Sequence, residues 1–464
     1  MSTPPSIPRL AIIGAGASGT LLASQLLRRA QSPLRILLLE RSGEIGRGVA
    51  YGTRCPEHRL NVPAGRMGAF PEEPEGFSRW IEARAGRPGF PARVGAEDFL
   101  PRRLFGEYVR EVFAAALAAA APGVELVEVK AEIVDLALEA DGIVLTASDG
   151  RVFAVDRAVL AIGNLPGEYP IPRPLPVYQS PRYVHIPWRG DALAGLGPDD
   201  EVLLVGQGPT ATDLIVELAQ SGHRGTIHAL SRHGIRPQPQ QPVARWRSFL
   251  EGEPAPCTVR ALVRRVRAEV REAAARGVGW RAVIDALRPH TPALWQTFTW
   301  EDRARFMRHV RPFWEAHRHR IAPETAGIVD RLVTEGRLKF YAGRLQVLEA
   351  DESGVQALLR RRGTIRHVSL RVAKVINCTG PRTDYSKYQH PLFIHLLARG
   401  LIDHDPLALG INALPTGEVL RYRGEPLGNV YTLGAPLKGV LWESTAIAEI
   451  RVQAAALAER LLSA

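Results

Sequence analysis

The spacing of apolar positions changes several times along the chain. Residues 10–13 form a short unbroken apolar run, as a strand buried on both faces does, and a helical period begins at about Ala17. A second apolar run, residues 35–40, stops at Glu40. Residues 97–120 have helical spacing, with Phe99, Leu104, Phe105, Tyr108, Val109, Val112 and Phe113 on one broad face, the pattern of core packing. Four alternating segments (124–129, 133–138, 143–146 and 152–155), separated by Asp-Gly and similar turns, predict a small antiparallel meander. It leads into an apolar strand at 157–162 that ends in Gly163. Proline-rich residues 164–200 read as an extended connector. A second strand–turn–helix–strand pattern then runs from 201 to 231, with Gly222 stopping its helix.

Helical periods dominate residues 250–335, at 259–275, 280–287, 300–317 and 325–334. Trp280, Trp295, Trp300, Phe306, Phe313 and Trp314 are concentrated there and predict a local core. The run from His317 to Arg320 reads as a solvated helix end, because His317 and His319, two apart, do not share a helix face. Strands are predicted at 338–342, 344–349, 354–360 and 367–372, and the run 373–381 repeats the strand-to-glycine ending of 158–163. A last strand begins at Val430, and a closing helix spans about 443–462, with Ala446, Ile447, Ile450, Ala454, Leu457 and Leu461 inward.

The turns in the two strand–helix units carry the chemistry. Gly14, Gly16 and Gly19 have the G-x-G-x-x-G spacing: a tight turn, a close approach of the backbone to a diphosphate, and close packing of helix on strand. The first-turn amides of the helix, from Ala17 and Ser18 on, are unpaired donors at the positive end of its dipole. Gly206 and Gly208 repeat the pattern, with Thr210 following and Ala211 in place of the third glycine. Gly14 to Glu40 and Gly206 to Arg232 span the same 26 residues. An acid at the end of the second strand suits a free ribose hydroxyl, and an arginine accommodates a 2′-phosphate. That difference favours NADPH over NADH at the second unit, with NADH still possible. The long Gly-, Pro- and Arg-rich loop at 42–75 would lie beside the first ligand.

A chain of 464 residues suggests two or three domains, and its apolar content of 45% is ordinary for a globular protein. The formal charge of +11 invites a nucleic-acid partner. The basic residues are nearly all Arg, scattered rather than clustered, with lysines only at 130, 339, 374, 387 and 438, so no nucleic-acid partner is expected. Cys55, Cys257 and Cys378 have no C-x-x-C or C-x-x-H spacing, which argues against disulfides and zinc and fits a reducing cytoplasm. No metal is expected. The N-terminus lacks an apolar signal region and no run approaches eighteen apolar residues, so the expectation is a cytoplasmic protein without a membrane span.

Two dinucleotide units without a metal or nucleophile triad point to paired redox cofactors. The order is that of the two-dinucleotide-binding flavoproteins. Gly46 to Gly52 (GRGVAYG), Leu60 to Ala64 (LNVPA), Val375 to Pro381 (VINCTGP) and Gly439 to Ala446 (GVLWESTA) resemble the signature blocks of a bacterial FAD/NAD(P)-binding family that includes FAD-dependent urate hydroxylases and aspartate N-monooxygenases. The resemblance covers essentially the whole chain.

It implies an α/β fold of two Rossmann-like domains. A discontinuous FAD domain would comprise 8–170 and 371–464, a nested NAD(P) domain 195–240 and 336–370, and a helical insertion 241–335. It implies that Gly14, Gly16, Ala17, Ser18, Gly19, Glu40 and Arg41 hold the FAD adenosine and diphosphate, and that Arg47, Gly48, Tyr51 and Asn61 flank the flavin. Gly206, Gly208, Thr210 and Arg232 would bind NADP(H), and Gly163, Gly380, Gly434, Gly439 and Val440 complete the cofactor-binding set. Many flavoproteins carry an acid after the glycine of the last strand; here Ala435-Pro436 stands instead, and backbone amides at the start of the closing helix are the expected substitute.

The implied activity is NAD(P)H-dependent monooxygenation of a small polar substrate with molecular oxygen, through a flavin hydroperoxide, at carbon as in urate or at an amine nitrogen. Asn61 and Arg66 are candidate hydrogen-bond donors to that site. Cys55 stands alone in its loop, which speaks against a dithiol reductase, and a simple oxidase has no use for the unit at Gly206. The alternative of another class is a dinucleotide-binding sensor or a partner-binding protein acting through the Arg-rich insertion.

Overall fold

The structure, a computed structural model, describes residues 7–251, 256 and 258–463, so Cys257 lies outside the described residues. Two parallel sheets organise the chain. In the first, β1 (Arg9–Ile13) pairs in parallel with β2 (Leu34–Glu40) on one side and with Arg157–Leu160 on the other. The sheet is completed by Val124–Lys130 beyond β2 and by Pro426–Thr432 and Glu418–Leu420 beyond Arg157–Leu160. β1 is a central strand, and four of its five residues are buried, which is why its apolar run does not alternate. Helix α1 (Ala17–Arg29), the helix Arg102–Ala118 and the closing helix Ile447–Ser463 pack on one face in a core with Leu21, Leu26, Phe77 and Phe105. A three-stranded antiparallel sheet (Ile133–Glu139, Gly142–Ala147, Val152–Val155) and the helix Pro391–Ala398 cover the other.

The second sheet runs His367–Val372, Gly354–Arg361, Leu338–Asp351, Ile227–Ser231, Val202–Val205, Lys374–Asn377, Tyr183–Val184. Its parallel part repeats the first unit, with the helices Pro209–Gln220 and Pro323–Thr334 packed on one face.

Several expected elements move. Val124–Lys130 is not part of the meander. It pairs in parallel with β2, and as an edge strand with one exposed face it alternates as an antiparallel strand would. Lys374–Asn377, which lies beyond the boundary expected at 371, pairs with Val202–Val205 in the second sheet. Tyr183–Val184, expected as connector, joins the same sheet. The two strands expected at 338–349 are one, Leu338–Asp351, which runs parallel to Ile227–Ser231 and continues past an irregularity near Leu345 into an antiparallel hairpin.

The helix expected at 97–120 begins at Arg102, since Pro101 holds the residue before it out of the helical region. That expected at 300–317 divides into Trp300–Arg305, a π turn Phe306–Val310 and Arg311–Arg318, because Pro312 has no N–H for the i−4 ladder. The helix Thr291–Thr297 has no counterpart in the sequence reading. The aromatic set is split. Trp295, Phe306 and Trp314 are buried in a core shared with Trp442, which stacks on Trp295 with centroids 4.8 Å apart, whereas Trp300 and Phe313 are exposed. The run expected as a solvated helix end turns inward: Arg318 pairs with buried Glu443 at 2.9 Å, and Arg320 pairs with Asp285. Arg288 donates from Nη2 to Glu449 at 2.6 Å. The insertion is thereby bound to the closing segment by buried charges.

Candidate dinucleotide sites

The first turn is built by close approach of backbone. A Cβ on Gly19 would lie 1.9 Å from the Gly14 carbonyl oxygen, so only glycine lets α1 start this close to β1. Gly14 has φ +103° and donates its N–H to the Leu39 carbonyl at 2.8 Å. Gly16 leads into α1 in extended conformation and no side chain caps the helix, which leaves the first-turn amides of Ala17, Ser18 and Gly19 without intrahelical partners. The loop after β2 folds back on the turn. Gly46 donates to the Ala15 carbonyl at 2.9 Å, and a Cβ on Gly48 would lie 3.1 Å from the Gly16 Cα. Gly434, at the end of the last strand, closes the third side, where a Cβ would lie 2.9 Å from Ser18 Oγ.

Glu40 accepts the Ala15 N–H at 2.9 Å on Oε2 and the Ser42 N–H and hydroxyl on Oε1. Its carboxylate is thus fixed beside the turn, with lone pairs in excess of these three donors. The Ser444 hydroxyl, fully buried close to Gly434, has no hydrogen-bond partner among the described residues. Uncapped amides, backbone surfaces with no side chain between them and an orphaned buried hydroxyl fit a diphosphate and its attached polyol chain.

The second turn has the same plan with one change. A Cβ on Gly206 would lie 2.0 Å from the Cys378 carbonyl oxygen, whereas Gly208 faces open space. The helix Pro209–Gln220 is again uncapped, but its first residue is proline, so Thr210 and Ala211 are the first amides it offers. Gln207 wires the turn to the sheet, donating to the Ala229 carbonyl at 2.8 Å and the Tyr341 carbonyl at 2.9 Å and accepting from Ser231 Oγ at 2.9 Å. Beyond Ser231 lies a concentration of positive charge. Burial, and after it the guanidiniums of Arg362, Arg232 and Arg344, hold the His233 imidazole below its ordinary range. Arg236 lies over the Phe340 ring at 4.6 Å and lines a cavity of about 230 Å³ together with Gln207, Thr212, Gln238 and Asp330.

Other expected site residues are not gathered at the turns. Arg41, Arg47 and Arg66 direct their guanidiniums to Glu132, Glu44 and Glu97, with Arg41 and Arg66 mostly exposed. Asn61 presents its carbonyl to Gln240 Nε2 at 3.2 Å. The Tyr51 ring packs on Phe105 with centroids 4.7 Å apart, and burial pushes its phenol well up. Gly439 accepts from Trp295 Nε1 at 2.7 Å, and Val440 is half-buried in the short helix Lys438–Leu441. Gly163 and Gly380, both at positive φ, occupy equivalent places after the strands that flank the two glycine turns. Sequence reading missed Gln207, Arg236, Arg344, Arg362 and Ser444. Arg344 and Arg362 come from the distant hairpin, and no local spacing announces them. Burial pushes the Cys378 thiol far up, which leaves it inert. Among the described residues no cluster of His, Cys, Asp and Glu is arranged to hold a metal, and no helix is long and apolar enough to cross a membrane.

Residues 11–165 match a family model described as FAD-NAD(P)-binding. No curated protein sequence matches the chain. Among solved structures, an ornithine hydroxylase from Pseudomonas aeruginosa is similar over 99% of both chains, with 16% identity and a TM-score of 0.62. The ornithine N-hydroxylase of Kutzneria sp. 744 is similar over 98% of this chain and 100% of its own, at 14% identity and a TM-score of 0.64. An L-lysine 6-monooxygenase from Pseudomonas syringae is similar over 98% and 99%, at 16% identity and a TM-score of 0.63. The fold is that of these solved structures, two Rossmann-like parallel-sheet units. The unit at Gly14 comes first and the unit at Gly206 is nested within it, with the chain returning through Pro426–Thr432 and Ile447–Ser463 to complete the first.

Proposed function

We propose that this chain is an FAD-dependent, NADPH-consuming monooxygenase that hydroxylates a small polar substrate, with an amine nitrogen the favoured target. The observation that carries the reading is the asymmetry between two otherwise matched seats: an acid beside the first turn and an arginine cluster beside the second. A dinucleotide lacking a 2′-phosphate suits Glu40, and one bearing it suits Arg232, Arg344 and Arg362. The full-length likeness to structures named as ornithine and lysine hydroxylases supports the class of reaction. FAD, when bound, supplies the two-electron relay between NADPH and oxygen.

The protein's own part is to hold and orient. The Ala17–Gly19 amides and the Gly16, Gly48 and Gly434 backbones hold the first diphosphate, with Glu40 for the ribose and Ser444 for the polyol chain. The Thr210 and Ala211 amides hold the second. With Pro209 removing one donor, the second seat is the weaker, as a dinucleotide that must leave each cycle requires. Proposed domain limits follow the sheets: 8–165 and 384–463 for the first unit, 183–240 and 323–380 for the second, and the helical insertion between its two parts.

The test is oxygen and NADPH consumption by the FAD-loaded protein with aspartate, ornithine, lysine, cadaverine and urate, following hydroxylated product against hydrogen peroxide. Coupled product from an amine supports the reading. Coupled product from urate alone moves the target to carbon. FAD bound with no NADPH oxidation under any substrate overturns it in favour of a dinucleotide-binding sensor.

A further inference from the structure

The loop after β2 reaches both seats. At Gly46 and Gly48 it lies on the first glycine turn. Ten residues later it lies against the helix of the second: His58, buried, places Nε2 3.1 Å from the Asp213 carbonyl and 3.6 Å from Glu217, while its Nδ1 meets Thr53 Oγ1 at 2.7 Å. Arg102, the first residue of a helix packed on α1, is anchored to the same loop. Its N–H donates to the His58 carbonyl at 2.8 Å and its Nε to the Arg59 carbonyl at 2.9 Å. Its other two nitrogens grip Asp213, Nη1 to Oδ2 at 2.6 Å and Nη2 to Oδ1 at 3.2 Å. The side chains of Arg102 and Asp213 are only 16% and 8% exposed.

A two-pronged guanidinium–carboxylate contact fixes rotation as well as separation, and here little solvent competes for it. Asp213 lies one turn inside the amides of Thr210 and Ala211, so the second diphosphate seat moves only as a body with Asp213. We propose that the Arg102–Asp213 pair and the loop 46–61 form a latch between the two dinucleotide units, and that Arg102 and Asp213 are positioning residues for hydride transfer. This rests on the redox reading above. In that step bound NADPH would give up a hydride, two electrons with one proton, and become NADP⁺, and bound oxidised FAD would accept that hydride and become the reduced flavin anion. Such transfer needs donor and acceptor within about 3–3.5 Å, and a misplacement of about 1 Å costs roughly a hundredfold.

The test compares Asp213→Asn, Arg102→Lys and the exchanged pair R102D/D213R with the unaltered full chain. Three quantities are read: NADP⁺ affinity by calorimetry, the limiting rate of anaerobic flavin bleaching at saturating NADPH, and hydrogen–deuterium exchange across residues 53–61 and 209–220. The latch predicts unchanged FAD content, NADP⁺ affinity within about threefold, a limiting rate lowered at least tenfold, and faster exchange in both segments. The exchanged pair should recover most of the rate. A lower melting temperature with an unchanged limiting rate overturns the proposal, as does a rate loss that appears only as weaker NADP⁺ binding. If Asp213→Asn does not fold, Arg102→Lys keeps the charge while losing the two-pronged contact, and decides in its place. If NADPH fails to bleach even the unaltered protein, the redox reading and the positioning role both fail. Faster exchange in both segments would then still establish the latch as a contact, and unchanged exchange would remove that too.

Discussion

Arg362 donates from Nη1 to Nδ1 of His233 at 2.5 Å, although 129 residues separate the two in the chain. The contact requires an unprotonated Nδ1, in keeping with a His233 pKa lowered by burial and then by three guanidiniums. It brings a second arginine near Arg232, the residue proposed above to meet a 2′-phosphate. Contacts to charged groups contribute about 1.5–3 kcal/mol each. Arg362→Ala should therefore lower kcat/KM for NADPH roughly ten- to a hundredfold and leave NADH almost unaffected. Arg232→Glu should reverse the preference. Steady-state kinetics with both coenzymes check this, and an unchanged ratio in both variants would dispose of the phosphate assignment.

Gly19 tests the first seat. A Cβ there meets the Gly14 carbonyl, a backbone atom that cannot move aside. Gly19→Ala should displace α1 and abolish FAD retention, read as the flavin absorbance ratio of the purified protein. Gly222, at φ +76° with nothing within 4 Å of its missing Cβ, is the control. Gly222→Ala should cost about 1–2 kcal/mol through its left-handed backbone and keep the flavin.

His319 makes stability depend on pH. Burial, and then neighbouring Arg318, lower its pKa to about 4. Between pH 4 and about 6.5 the unfolded chain binds a proton that the folded chain refuses, so stability falls as pH falls through that window and is fully present above it. Keeping that imidazole neutral contributes on the order of 3 kcal/mol above the window. His319→Gln should flatten the dependence of the unfolding midpoint on pH between 4 and 6.5. An unaltered slope would show that other groups govern it.

The buried pair Arg318–Glu443 ties the insertion to the closing segment. Glu443→Gln leaves the buried Arg318 guanidinium with Glu449, 3.8 Å away, as its remaining carboxylate and should cost about 3 kcal/mol, whereas the double change R318M/E443L should cost much less. Denaturant unfolding followed by the tryptophan fluorescence of the Trp295–Trp442 stack measures both. Equal losses would mean that charge compensation is not what holds this joint.

Both glycine turns, their helices and the second strands were legible from spacing alone, because each rests on local rules: unbroken apolar runs, glycines at fixed offsets and a helical period. The closing helix was legible for the same reason. Sheet membership was not. Val124–Lys130 alternates whether it pairs in parallel or antiparallel fashion, and Lys374–Asn377 carries the same strand-to-glycine ending as Arg157–Leu160 because it plays that part in the other unit. Arg318 and Arg320 were misread because a charged run looks solvated until its partners, Glu443 and Asp285, are seen across the fold. Arg66, singled out from its loop, is at the surface with Glu97, while Arg362 and Arg344 carry no local mark at all.

The strand Leu338–Asp351 begins in the parallel part of the second sheet and ends in its antiparallel part, as one arm of a hairpin that returns Arg362 to His233. On the function proposed above, coenzyme choice would be partly delegated to this hairpin. A hairpin one pair of residues shorter or longer would withdraw or re-aim that arginine while Gly206, Gly208 and their helix stayed as they are. On that reading, a change confined to the hairpin would alter which coenzyme is accepted without touching the turn that grips it.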